Sequence, residues 1–90
     1  MNSEKEYNLQ SFELIAYKPY IYRLFKDCQN VFLPEITCGM HGIWEIWIEL
    51  NQKELSLYKK EGDSGLEKVA GIFSYYCYDK EYKKRYVKVI

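Results

Sequence analysis

The sequence predicts a small α+β domain with its elements in the order β-α-β-β-α-β. Three observations carry that expectation. Trp44, Ile46, Ile48 and Leu50 alternate with Glu45, Trp47 and Glu49, which is the period of a half-buried strand. Leu66, Val69, Ala70, Phe73 and Cys77 recur at helical spacing. Pro19 divides the first third of the chain into two segments that do not fit one helix.

Residues 1–90 are expected to form a single domain, with residues 1–8 as a disordered tail. "SFELIAY" (11–17) reads as a strand or a helical turn, and strand is preferred. A straight helix over 9–29 would set Leu9, Phe12 and Ala16 nearly opposite Ile21, Leu24, Phe25 and Cys28. The segment therefore splits, and "KPYIYRLFKDCQ" is predicted as a helix with Pro19 at its first position, where a missing N–H costs nothing. Residues 30–42 read as a connection in which "VFLPEIT" contributes at most an edge strand, because Pro34 lacks a ladder donor.

The strand from Gly42 onward is expected to turn at "NQKE" and return as "LSLYKK". The preferred register sets Leu50 against Leu55 and Ile48 against Leu57 on the inner face, with Trp47 against Tyr58 on the outer one. A helix follows, its start marked by the capping-box spacing of Ser64 and Glu67 and its end placed near residue 79. "RYVKVI" closes the chain as a short strand. This is the split-βαβ, ferredoxin-like order. If "SFELIAY" is helical, the alternative is an antiparallel hairpin or sheet packed against two helices. The ferredoxin-like order invites comparison with RNA-recognition modules, but "ELSLYKK" offers only Tyr58 in place of their stacking consensus.

Composition narrows the function classes. Hydrophobic residues make up 48% of the chain and charged ones 29%, which suits a folded domain. Ten of the sixteen aromatic residues are tyrosine, a side chain that stays half-exposed without loss of solubility. The net charge is zero, yet residues 1–50 carry four basic and seven acidic groups and residues 51–90 carry nine and six. Bulk polyanion binding is excluded by that balance, whereas a local basic patch is not. "MNSEKEYNLQ" has no signal-type apolar run, and no stretch reaches the ~20 apolar residues of a membrane span. Three cysteines leave one unpaired in any internal disulfide scheme, so reduced thiols and a cytoplasmic location are expected.

Catalytic equipment is sparse. Cys38-x-x-His41 has the spacing of half a metal knuckle, and Cys28 and Cys77 would complete a zinc complement. The second close-spaced pair is missing, and Cys28 and Cys77 fall on apolar faces, so no metal or cofactor is expected. Cys38 and His41 as nucleophile and base lack a group to orient the base. Glu45 and Glu49 lie about 13 Å apart on one strand face, too far for paired-carboxylate glycoside chemistry. No phosphate loop or dinucleotide fingerprint is present.

These features predict a non-enzymatic protein-binding module. By its size and class it is expected to be an inhibitor, or an immunity or counter-defence protein of bacteria or phages. It would occlude a surface of a larger protein or protein–nucleic-acid complex, for instance one that processes nucleic acid. Trp47, Tyr58, Tyr75 and Tyr78 are the expected anchors, with Glu45 and Glu49 as an acidic rim. The alternative is single-stranded nucleic-acid binding through Lys80, Tyr82, Lys83, Lys84 and Arg85, where bases stack on tyrosine and phosphates meet the basic groups. A homodimer through the tryptophan-bearing hairpin is compatible with the same residues, and no membrane contact is expected.

Overall fold

A computed structural model of the protein describes residues 5–39 and 44–90. In chain order the elements are β1 (Glu6–Tyr7), a 3-10 turn (Leu9–Ser11), β2 (Glu13–Lys18), β3 (Tyr22–Lys26), β4 (Phe32–Cys38), β5 (Trp44–Trp47), α1 (Gln52–Glu61), α2 (Asp63–Tyr75), α3 (Lys80–Lys83) and β6 (Lys88–Val89). Strands β2 to β5 form an antiparallel meander, each beside its neighbour in sequence. β1 and β6 pair in parallel as a second, two-stranded sheet. The α+β class is as expected, in the arrangement of a sheet packed against helices. The β-α-β-β-α-β order is not what forms: every strand of the main sheet precedes every helix.

The first correction lies in residues 18–29, which form a turn and a strand where a helix was expected. Lys18 C=O accepts from Ile21 N–H at 3.0 Å, with Pro19 and Tyr20 between them and Tyr20 at φ 67°. Proline in the second position and positive φ in the third are the marks of a tight type II turn. The strand that follows buries Tyr22 and Leu24 on one face and Phe25 on the other, where Arg23 stays exposed. The buried Phe25 breaks the alternation that would have identified it. A second hairpin joins β3 to β4, tied by the Asp27 carboxylate, which accepts from the N–H groups of Gln29 and Val31 at 2.9 Å.

The second correction concerns Pro34, which sits in an interior strand rather than at an edge. Pro34 opposes Leu24 at a position where both of its backbone groups face β5. Its carbonyl accepts from Ile48 N–H at 3.4 Å, and its missing N–H falls just beyond the regular β4–β5 ladder, which ends at Glu35 and Trp47. The lost donor thus interrupts pairing where β5 leaves the sheet.

The third correction is α1, expected as the return strand "LSLYKK". Asn51 caps it: its side chain accepts from Glu54 N–H, and the Glu54 carboxylate accepts from Asn51 N–H. That capping box was expected one helix later, at Ser64 and Glu67. α2 already begins at Asp63 there, with Gly62 as N-cap and no side-chain cap bond. Within the stretch expected as a tail, residues 6–7 form β1.

One face of the main sheet carries the core. Tyr22, Leu24, Ile36, Cys38, Ile46 and Ile48 meet the stripe of Leu66, Val69, Ala70, Phe73 and Cys77 from α2, which was legible in the sequence. Leu66 and Phe73 are among the largest fully buried side chains. α1 crosses α2 at Gly65, where a β-carbon would lie 2.6 Å from Leu57 C=O.

Candidate functional site: an aromatic groove at the end of α2

The buried stripe of α2 fixes which residues of that helix face outward. Ile72 and Tyr75 flank it, and Tyr76 caps its C-terminal end. All three are exposed, Ile72 at 46% and Tyr75 at 80% of their full accessible surface. Tyr78 follows, exposed at 69% with its ring 5.8 Å from that of Trp44. Asp79 then caps α3 by accepting from Glu81 N–H at 2.8 Å, and this places Tyr82 back against α2. Tyr82 stacks face to face with Tyr76 at 4.8 Å and 6°, and meets Phe73 edge-on at 5.3 Å. Tyr75 meets Tyr76 edge-on at 4.8 Å. A ladder of rings therefore runs from the core residue Phe73 out to solvent at Tyr75.

Beside this ladder lies a groove of about 550 Å³ between α1, α2 and the α3 segment. Leu57, Val69, Ile72, Phe73 and Tyr82 give it an apolar floor, and Lys53, Glu54 and Arg85 give it a polar edge. Arg85 is held at three points. Its guanidinium donates to both Glu54 carboxylate oxygens, at 2.6 and 3.1 Å, and to Glu49 C=O at 3.0 Å. It also lies 5.3 Å over the Phe73 ring. Around the groove Lys53, Lys80, Lys83 and Lys84 are exposed. Lys84 is the one of these four that pairs among the described residues, with Glu81 at 3.2 Å.

The expected anchors do not form one surface. Trp47 does take the face opposite Ile46 and Ile48, as its parity in the strand required. Its neighbour there is Phe25, at a ring distance of 5.5 Å, and not Tyr58. Tyr58 belongs to α1 and packs edge-on against Phe32 at 6.3 Å, within the core on the helix side. Glu49 is engaged by Tyr7, whose hydroxyl donates to it at 2.5 Å, and by Lys5 at 3.3 Å. Glu45 is exposed. Of the expected anchors Tyr75 lies in the ring ladder, while Tyr78 stands against Trp44 instead.

The metal set is likewise dispersed. Cys28 is exposed in the β3–β4 turn, at the opposite end of β4 from Cys38, or about 20 Å away at strand rise. Cys38 and Cys77 are buried together, and the Cys38 thiol is pushed up to about 12, by burial first and then by its neighbour Cys77. His41 lies outside the described residues. Among the described residues no group of three histidine, cysteine, aspartate or glutamate side chains could hold a metal ion.

Ile72, Tyr76, Lys53 and Glu54 belong to the site and were missed. Ile72 and Tyr76 were readable as the residues bordering the α2 stripe. Lys53 and Glu54 were hidden by reading "NQKE" as a hairpin loop, although the Asn51–Glu54 spacing carried the helix signal. No described helix is long and apolar enough to cross a membrane. No protein-family model matches the chain, nor does any curated protein or solved structure.

Proposed function

We propose that the chain is a protein-binding module that acts by covering a surface of a larger protein, with the aromatic groove as its contact. The observation that carries this reading is the company kept by the exposed tyrosines. Ile72 lines a preformed apolar groove with a polar edge, and Tyr76, stacked on the groove residue Tyr82, holds the exposed Tyr75 beside it. Tyrosine and arginine are enriched at the energetic centres of protein interfaces, where a rigid ring loses little entropy on contact. The fitting partner segment places an apolar side chain in the groove and carboxylates opposite Lys53, Lys80 and Lys83.

The nucleic-acid alternative uses the same region but draws less support from it. Tyr82 has one face stacked on Tyr76 and packs edge-on with Phe73, and Arg85 is committed to Glu54 and Glu49. Base stacking and phosphate contact therefore fall to Tyr75, Lys80 and Lys83. A photo-crosslinking residue in place of Tyr75 separates the two readings. The proposal expects a protein adduct that a crosslinker at Gln29, exposed in the β3–β4 turn, does not give. An adduct removed by nuclease, with oligonucleotide affinity falling steeply in salt, overturns it in favour of nucleic acid.

A further inference from the structure

Among the described residues the main sheet has an open edge at β2, which has β3 as its ladder neighbour there. The hydrogen bonds of the next hairpin determine which β2 groups are free. Thr37 N–H donates to Ile21 C=O at 3.0 Å, and Asp27 N–H donates to Val31 C=O at 3.1 Å. By alternation Arg23 and Phe25 also bond toward β4, while Tyr22, Leu24 and Lys26 bond toward β2. Their partners Lys18, Ala16 and Glu13 turn their backbone groups inward. Leu14 and Tyr17 are left with N–H and C=O directed away from the sheet. In a regular strand such residues stand two apart. Here the register shifts between Leu14 and Ala16, and the bulge at Ile15 sets them three apart.

We propose that β2 pairs antiparallel with β2 of a second copy of this chain, about a two-fold axis between Ile15 and Ala16. The two four-stranded sheets then join into one continuous sheet. In that register Leu14 exchanges both backbone bonds with the partner's Tyr17, and Tyr17 with the partner's Leu14. The two residues that the bulge left free are the two that the axis interchanges. Because the bulge sits on the axis, the three-residue spacing in one copy meets the same spacing in the other. The charges agree with this register. Glu13 opposes the partner's Lys18, and Glu13 has no ion-pair partner among the described residues, while Lys18 has only Glu67. Opposite charges directly across a ladder are favourable. Leu14 and Tyr17, exposed at 44% and 65%, would cover one another across the axis on the face away from the helices. An exposed apolar edge strand is a liability unless something covers it. Six residues a side make a small interface, so the dimer is weak and depends on concentration.

Sedimentation from about 1 μM to about 1 mM is expected to show the mass rise from one chain to two. Over the same range, the amides of Leu14 and Tyr17 should slow in hydrogen exchange by about tenfold or more. Tyr17→Pro removes an outward donor that none of the described residues accepts from, and should stay a folded monomer throughout. Glu13→Lys should weaken the dimer, and adding Lys18→Glu to it should restore it. A chain that stays monomeric over the whole range overturns the proposal. So does a dimer whose Leu14 and Tyr17 amides exchange as in dilute solution, or a folded Tyr17→Pro variant that dimerises like the wild type. If Tyr17→Pro does not fold, the charge series decides, and equal dimerisation by wild type, single and double variants rejects the register.

Discussion

Trp47 and Tyr75 show how differently two aromatic side chains of one small protein are employed. Trp47 is half-buried and covers Phe25, so Trp47→Ala opens a gap on the far face of the sheet. A loss of about 2–4 kcal/mol is expected in urea denaturation. Tyr75 stands almost free of the fold at 80% exposure. Tyr75→Ala should leave stability within about 0.5 kcal/mol, while partner affinity falls by about tenfold or more. If Tyr75→Ala unfolds the protein instead, the ring ladder is a cover for the core and not a contact surface. Glu54 has two tasks, closing the α1 capping box and holding Arg85 at the groove edge. Glu54→Ala should cost about 1–3 kcal/mol, because it removes a helix cap and frees a half-buried guanidinium. Its Gln counterpart, which can still accept at the cap, should recover part of that loss.

Between α1 and α2 two glycines decide whether the helices can pack. Gly62 ends one helix and begins the next at φ 65° and ψ −137°, a region nearly closed to other residues. Gly65 allows the close approach to the Leu57 carbonyl. Gly65→Ala forces that carbonyl away and is expected to cost about 1–3 kcal/mol, read from the thermal midpoint. Three groups, in β1, in β4 and after α3, set the response to alkali. Burial raises Cys38 from 9.0 to about 12, and raises Tyr7 and Tyr86 from 10.0 to about 12. These protons leave the unfolded chain first. Their contribution to stability is therefore intact below about pH 9 and is lost as pH rises toward about 12. The Cys38 share of that slope is about 1.4 kcal/mol per pH unit within its window. Denaturation in urea across about pH 8–11 should show the decline beginning near pH 9, and Cys38→Ala should delay its onset toward pH 10.

At the scale of the whole molecule, residues 5–9 meet residues 88–90. β1 pairs with β6, Leu9 N–H donates to Ile90 C=O at 2.8 Å, and Val87 N–H donates to Trp47 C=O at 2.9 Å. Residues 6–7 are thus stitched to the last strand, which in turn is tied to the main sheet. Deleting residues 1–8 should lower the melting temperature by several degrees, where removal of a free tail would leave it unchanged. Local pattern was enough for several elements. The alternation of β5, the opposed faces of Trp44 and Trp47 and the buried stripe of α2 stood in the sequence, because each has one buried face whose period is its own signature, whereas β2 buries no residue and was only the preferred of two readings. The sequence also limited the chemistry, through one histidine, scattered cysteines and a surplus of tyrosine. Tertiary structure decided the rest. In β3 the buried Phe25 interrupts the alternation of Tyr22, Arg23 and Leu24, so Pro19 was taken for a helix start instead of a turn. Whether Leu55 and Leu57 lie on a strand or a helix depended on the cap at Asn51 and on α2 packing beside them. The groove exists only because α3 folds Tyr82 back onto Tyr76, a contact between residues that no local spacing brings together.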